Sequence, residues 1–232
     1  MALGERGYRL LRLDPFPESI RTSFEPLPAD PYCKDRYRRF SQYRLALRDG
    51  DARLELLPHR PLVQHKRHNA YLGGVLRHLE PLIIDASDSV KTVAAAIPLD
   101  RTMDWQVDVH QWRTTCGREA ASRSVPEGPH QDGHEYAAIL VVRRQNITGG
   151  TTILYRLEDH APFFERTLEA GEGIVLDDRG MLHFTTDIQA TEDVGLRDIF
   201  VITMSRWENR RHGVEFEAAA RAFEQSVAET TR

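Results

Sequence analysis

Cysteine is nearly absent: Cys33 and Cys116 are the only two in the 232 residues. That excludes a small secreted scaffold held by cross-links, and a reduced intracellular setting is the expectation. Long apolar runs are missing too. Nowhere do about 18 apolar residues run together, so no membrane-spanning helix is expected. The opening MALGERGYRLLRLD has no apolar stretch of the kind a secretory leader needs. Strong charge of either sign is lacking as well. Thirty-one Lys and Arg stand against 35 Asp and Glu, a net charge of −4, which offers no electrostatic case for a nucleic-acid partner. Two short basic clusters, KDRYRRF (34–40) and HKRH (65–68), read as solvated or salt-bridged faces. The expectation is a soluble, cytoplasmic chain with no membrane or nucleic-acid partner, its oligomeric state open.

What is present is a change of texture along the chain. Residues 1 to about 90 are mixed, with several prolines and one short helical stretch in PFPESIRTSFEPLPADPY. HNAYLGGVLRHLEPL then places Tyr71, Leu72, Val75, Leu76 and Leu79 at helical spacing, and Pro81 closes that predicted helix. From about residue 91 to 206 the segments TVAAAIPLD, WQVDVHQWRTT, YAAILVVRRQNI, GTTILYRLE, EGIVLDD and RDIFVITMS are short and β-branched or aromatic. Gly, Asp, Asn or Pro punctuate them. That pattern predicts a mainly β (α+β) fold, an all-β barrel or double-sheet sandwich with flanking helices. The tail, about 214–229, repeats Phe216, Ala219, Phe223 and Val227 and predicts an amphipathic helix packed on a sheet face. With 41% hydrophobic residues and no repeat, linker or low-complexity segment, residues 1–232 read as one domain.

The chemistry centres on VPEGPHQDGHEYAAILVVRR, residues 125–144. With 10 His and 35 acidic residues in 232, an H-x-[DE] triplet arises about 1.5 times by chance. Two occur: His130-Gln131-Asp132 and His78-Leu79-Glu80. The second falls in the predicted helix, where residues two apart diverge, so it reads as structural or surface. The first precedes a strand. A zinc-protease H-E-x-x-H is excluded there by Pro129, Gly133 and Gln131, since that motif needs a helix and a glutamate base. The chain holds no H-x-H of the kind a cupin uses. A facial arrangement of two imidazoles and one carboxylate remains. On extended backbone His130 and Asp132 share a face, and Gly133 lets the chain bend beside an ion. The third ligand must come from elsewhere. His183, after a strand and a polar turn in GEGIVLDDRGMLHFTTDI, is the candidate, its alternative being a core histidine. Arg197, fourteen residues later, opens the strand RDIFVITMS. An antiparallel pairing of the two strands would bring it beside His183, ready to clamp a carboxylate.

In this order the motifs resemble the non-haem Fe(II)/2-oxoglutarate-dependent dioxygenases, in particular the bacterial group containing L-isoleucine 4-hydroxylase. The likeness takes in VDVHQWR (107–113), PEGPHQDGHEY (126–136), RRQNITGGTTILY (143–155), LDDRGMLHFTTDI (176–188) and RDIFVIT (197–203). It also covers LPADPY…RYRRFSQY and YLGGVLRHLEPL, so roughly residues 25–205 are involved. The resemblance implies a double-stranded β-helix (jelly roll), with His130, Asp132 and His183 as Fe(II) ligands. It implies Arg197 on the distal carboxylate of 2-oxoglutarate, and a hydroxyl, Ser124, six residues before the first ligand. An aromatic contact to the cosubstrate near the preceding strand has no clear equivalent; Trp112 and Thr114 lie in that region. With O2, such enzymes decarboxylate 2-oxoglutarate to succinate and hydroxylate an unactivated C–H bond of a small molecule. The side chain of a free L-amino acid is the substrate expected. Gln111 and Arg113, alternating on one strand face, are candidates for its carboxylate, and Glu127 for its ammonium; His134 could line the pocket. Each has a plainer role open, as an edge salt bridge, a loop cap or a surface group. Gly149-Gly150 read as a hairpin turn, and Asp177 and Asp178 as tethers for Arg179 or a ligand histidine. Desaturation, cyclisation or sulfoxidation by the same oxidant stay open, as does a non-catalytic jelly-roll binding module. Asp132 and Arg197 argue against the module, and Asp132 argues against a halogenase, which lacks that carboxylate.

Overall fold

The computed structural model describes residues 3, 6–48, 51–123 and 125–230, side chains from 223 onward excepted. Twelve strands and three α-helices are found among them. In chain order they are β1 (Tyr8–Arg12), α1 (Glu18–Thr22), β2 (Arg36–Arg48), β3 (Asp51–Leu56), α2 (Ser87–Ala96), β4 (Asp104–Gly117) and β5 (Tyr136–Gln145). Then come β6 (Ile147–Gly149), β7 (Thr151–Tyr155), β8 (Pro162–Thr167), β9 (Glu172–Asp177), β10 (Leu182–Thr185), β11 (Ile188–Ala190), β12 (Val194–Arg206) and α3 (Val214–Thr230). A seven-stranded antiparallel sheet runs β1-β9-β5-β12-β4-β2-β3; facing it are a three-stranded sheet, β10-β7-β8, and the pair β11-β6. This is the jelly roll that the motif order implied.

Alternation along the long strands separates two environments, because successive side chains point to opposite faces. On β4 and β12, Trp105, Val107, Val109, Phe200, Ile202 and Met204 face outward and pack with Val90 and Val93 of α2. Their neighbours in sequence, Asp108, His110, Trp112, Thr114, Arg197, Ile199 and Val201, face inward and line a cavity between the sheets. Where β12 runs past β5 at Asp198/Ile199, a bulge at Val142 shifts the parity of β5 while that of β12 continues. It turns Arg143 outward onto Asp198, at 2.9 Å, and leaves Arg144 beside Arg197.

The N-terminal third departs from its sequence reading. KDRYRRF is not a solvated face: from Arg36 it forms the start of β2, which lies between β4 and the edge strand β3, and Arg36 is salt-bridged to Asp30 at 2.8 Å. Tyr43, Leu45 and Leu47 bury outward, while Arg36 and Arg38 are buried inward. The helix expected over 71–79 does not form. Gly73-Gly74 interrupts it, Asn69 Oδ1 accepts from the amides of Tyr71 and Leu72 at 3.1 and 2.7 Å, and Arg77 returns to a bridge with Leu62. TVAAAIPLD is largely helix rather than strand. Asp85 caps the amide of Ser87 at 2.8 Å, Val90, Val93 and Ala96 share the buried face, and Ile97 is extended before Pro98. In α3, Phe216 lies edge-on to His65, Glu217 pairs with Arg60, and Ala220 is buried. Phe223 and Val227 lie outside the described side chains.

Candidate metal centre

His130 and His183 are joined by backbone before their side chains meet. Each donates its amide to the other's carbonyl, at 3.1 and 2.9 Å, in an antiparallel bridge that adds the 130 segment to the edge of β10. Paired residues project to the same face, and the two rings lie with centroids 4.4 Å apart. Asp132, two residues on, reaches the same point. Its Oδ1 is 3.5 Å from His130 Nε2 and its Oδ2 is 3.5 Å from His183 Nε2. One ligand atom from each residue fits within a 4.8 Å cluster, the only such His/Cys/Asp/Glu group among the described residues.

The backbone around Asp132 is held from below by a fully buried carboxylate, Asp178. Its Oδ1 accepts from the amide of Asp132 at 2.9 Å, and its Oδ2 from Gly133 and His134 at 2.6 and 3.0 Å. Gly133, at φ +85°, makes the bend beside Asp132; a Cβ there would lie 2.5 Å from His68 and 2.7 Å from the Arg211 guanidinium. Arg211 Nη1 in turn donates to the Asp132 carbonyl at 3.1 Å. His130 Nδ1 pairs with the Gly128 carbonyl at 2.9 Å, which assigns its proton there and leaves Nε2 free toward Asp132. Asp178 Oδ1 also lies 3.5 Å from His183 Nδ1, a nitrogen with no hydrogen-bond partner among the described residues. Asp177 accepts from the amide of Arg179 at 3.1 Å, as expected.

Charge concentrates on Asp132. Burial pushes its carboxyl up, yet His183 and His130 together hold it well below the usual carboxylate range. Burial likewise works against a proton on His130, but Asp132 outweighs it and lifts that imidazole to about 9. Without an ion, the carboxylate is balanced by the imidazoles beside it, and the donor set of two imidazole nitrogens and a carboxylate suits a divalent first-row metal with open positions.

Arg197 enters the same cavity from the opposite layer. It does not pair with the His183 strand, as the sequence suggested; its neighbours in the sheet are Thr114 and Arg144. Its guanidinium is 3% exposed, and Nε and Nη2 have no partner. Burial, with Arg144 nearby, pushes it down to about 9. Gly149-Gly150 is not a hairpin turn. Gly149 pairs with Ile188 and the chain runs on into β7, so the two glycines kink a continuous ribbon. A Cβ on Gly150, at φ +67°, would sit 3.2 Å from Arg197 Cδ.

The other predicted residues divide. Glu127 and His134 line the cavity. His134 is buried, with Nδ1 2.9 Å from Ser205 Oγ and Nε2 3.9 Å from Asp108, and burial holds it well below its ordinary value. Gln111 and Arg113 point away from the cavity, on the outer face of β4. Gln111 Nε2 donates to Ser23 at 2.7 Å, and Arg113 is taken up by Asp198 at 2.7 Å and Glu25 at 2.9 Å. The plainer role, a salt bridge, holds for Arg113. Ser124 lies outside the described residues. His78 and Glu80 are exposed, and Glu80 pairs with Arg39 at 2.7 Å; they lie in extended chain, not at a helix end. Sequence reasoning missed Arg36, Arg38, Arg77, His110 and Arg211, all of which line the cavity. For the first two, the period-two spacing of Tyr37, Tyr43, Leu45 and Leu47 was the available signal of a strand. Arg77 and Arg211 carried none.

The cavity encloses about 440 Å³, the scale of a small metabolite with its cosubstrate rather than of a polymer. A crystal structure of a bsmA homolog from Methylobium petroleophilum PM1 is similar in fold, with TM-score 0.69 and 24% identity over 88% of this chain and 90% of that one. The structure called IDO from Bacillus thuringiensis superposes with TM-score 0.68 at 18% identity, over 88% and 92% of the chains. The Fe(II)/(alpha)ketoglutarate-dependent dioxygenase TqaL gives 0.55 at 13% identity, over 81% and 72%. No match is found among curated protein sequences. The model of the 2OG-Fe dioxygenase family matches residues 21–203, a span that takes in the His130–Asp132–His183 cluster and Arg197. By that match this chain belongs to the 2OG-Fe dioxygenase family, whose members use Fe(II), 2-oxoglutarate and O2.

Proposed function

We propose that this dioxygenase hydroxylates an unactivated C–H bond in a small substrate, the side chain of a free L-amino acid, within one catalytic domain spanning residues 1–232. His130, Asp132 and His183 would hold Fe(II), and Arg197 the distal carboxylate of 2-oxoglutarate. The observation that carries the reading is Arg197. A buried guanidinium with two unpartnered nitrogens facing the His–Asp–His cluster is costly unless an anion completes it.

When bound, Fe(II) with 2-oxoglutarate and O2 supplies an oxidant able to take hydrogen from an unactivated carbon. The chain's own residues do the placing. His130 donates through Nδ1 to Gly128 and so presents a Nε2 lone pair. Asp178 keeps the 132–134 backbone still, and His183 is fixed by its bridge to His130. Ile139, Leu176, Ile199 and Val201 give the inner wall an apolar surface that keeps water from the reacting carbon. Glu127 faces the cavity as partner for a substrate ammonium, and His134 as a neutral wall group. Ser124 belongs to the proposal as a second cosubstrate contact on the family likeness alone. Two free cysteines accord with a cytoplasmic setting; no described helix is long and apolar enough to cross a membrane.

Purified protein with Fe(II), 2-oxoglutarate and O2 is to be screened against the common free L-amino acids by product mass. The expected result is one amino acid gaining one oxygen with one succinate formed. Loss of two hydrogens instead would replace hydroxylation by desaturation or cyclisation. Gain of an oxygen only on capped or carrier-bound compounds would refute the free amino acid.

A further inference from the structure

The cavity holds a second group of buried cations, away from Arg197. Arg36 and Arg38 of β2 and Arg77 of the 62–77 hairpin are 7%, 4% and 3% exposed. Asp30 is the carboxylate beside them, and it is already occupied. Its Oδ2 accepts from Arg36 Nε at 2.8 Å and its Oδ1 from the Tyr32 amide at 2.9 Å. Arg38 Nε is 3.9 Å from Asp30, too far for a hydrogen bond, and both its Nε and its Nη2 are without a partner. Arg77 donates Nη2 to the neutral Gln64 at 2.6 Å and leaves Nε unpartnered. Three guanidiniums thus share one carboxylate. Burial and the neighbouring Arg36 and Arg77 push Arg38 far down from its ordinary value, and burial with Arg36 brings Arg77 to about 10.

This cluster is not the far side of the Arg197 site. Arg197 stands opposite Thr114, whereas Arg38 stands opposite Trp112, one strand further and two residues along. At about 4.8 Å between strands and 3.3 Å per residue, the two backbones are about 12 Å apart. The Trp112 ring lies under the Arg36 and Arg38 guanidiniums, at 4.3 and 5.4 Å. Two sets of unpartnered guanidinium nitrogens on backbones that far apart, opening on one cavity, leave room for two anions. On the reading of the cluster as an iron and 2-oxoglutarate site, Arg197 takes one of them.

We infer that Arg38 and Arg77 form the substrate's anion subsite and hold its carboxylate, the role that Arg113 cannot fill from the outer face. Arg38 and Arg77 line the same cavity as Glu127 and the His130–Asp132–His183 cluster. Glu127 makes no hydrogen bond to Arg77; its polar contact is Asn69 Nδ2 at 3.5 Å. Guanidiniums and a carboxylate lining one cavity match the carboxylate and ammonium that an α-amino acid carries on one carbon. Its side chain then has only the cavity beside Asp132 to occupy.

The inference rests on the proposed function for the identity of the first anion, and one experiment separates the two. Anaerobic protein carrying Fe(II) and 2-oxoglutarate is titrated calorimetrically with the common L-amino acids and with each one's carboxamide. The amino acid that binds should outbind its carboxamide on the order of ten- to a hundredfold, the value of a charge-assisted pair. Arg38→Gln and Arg77→Gln should each erase that preference and keep 2-oxoglutarate affinity within roughly twofold, while Arg38→Lys restores part of the preference. Survival of the preference in both Gln variants overturns the subsite, as does the absence of any carboxylate-dependent binding. If O2 is then admitted and yields no oxygenated product from a tightly bound amino acid, the hydroxylation reading fails and the subsite stands. Hydroxylation that proceeds with undiminished carboxylate preference in both variants has the opposite meaning.

Discussion

Replacing Arg197 by methionine should make the cosubstrate-free protein more stable and the cosubstrate-bound protein weaker. The guanidinium is shifted from 12.5 to about 9 by burial and by Arg144, which at about 1.4 kcal/mol per tenfold change in acidity corresponds to a folding penalty on the order of 5 kcal/mol at neutral pH. The sign follows from the direction: a base whose folded pKa is lowered is held charged at pH 7 against its environment. Methionine keeps much of the side chain's volume and removes the charge. Exchanges of buried charge for apolar volume recover about 1–4 kcal/mol, or roughly 2–15 °C in melting temperature for a chain of this size. The same change removes the partner of a buried carboxylate and should weaken 2-oxoglutarate by about 2–5 kcal/mol, from roughly thirtyfold to several thousandfold. Two melting curves for each protein decide the matter, with and without 2-oxoglutarate. At about 100 times its dissociation constant the ligand adds about 2.7 kcal/mol to the wild type, and at that concentration no more than about 0.9 kcal/mol to Arg197→Met. If Arg197→Met melts lower than wild type without ligand and gains as much on adding 2-oxoglutarate, the guanidinium is a structural group and the cosubstrate is held elsewhere.

Three further outcomes are expected. His130→Ala, Asp132→Ala and His183→Ala should each lose the one Fe(II) per chain that wild type retains by elemental analysis, whereas His78→Ala and Glu80→Ala, on the surface, should keep it; iron loss from the second set alone refutes the cluster. Asp178→Ala strips three backbone amides of their acceptor and should cost about 10- to 100-fold in Fe(II) affinity while every ligand side chain is kept, measured by competition with a chelator; unchanged affinity would make it a folding group only. Glu25 is held at about 2, first by Arg113 and then by Arg143, so its stabilising effect is complete above its ordinary 4.5 and fades as pH falls toward 2. Glu25→Gln should flatten the fall in melting temperature over that window, by a modest amount because Glu25 is largely solvent-facing, and leave the curve above pH 5 parallel to wild type.

The jelly-roll core was legible because its strands carry their own signal. WQVDVHQWRTT and RDIFVITMS alternate between outward core and inward cavity at a period of two, and no other element satisfies both faces. The metal cluster was legible in part for the same reason, since His130 and Asp132 are two apart on extended chain. His183 needed the order of motifs, and its meeting with His130 is a backbone bridge that no local pattern announces. Reading KDRYRRF as a surface failed because charge was allowed to outweigh alternation. Buried arginines look like solvated ones until their strand is placed in a sheet.

By itself the sequence determined that the chain is mainly strand from about residue 104 to 206, and that one of its two H-x-[DE] triplets precedes a strand. Local propensity and side-chain chemistry suffice for those. Only the tertiary structure decided which face each polar residue takes. A one-residue difference in parity sends Arg113 outward to Asp198 and Glu25 and Trp112 inward to the cavity, and a single bulge puts Arg144 beside Arg197. It also decided which charges are left over. Arg38, Arg77 and Arg197 each keep a buried guanidinium nitrogen without a partner because of what the folded chain packs around them.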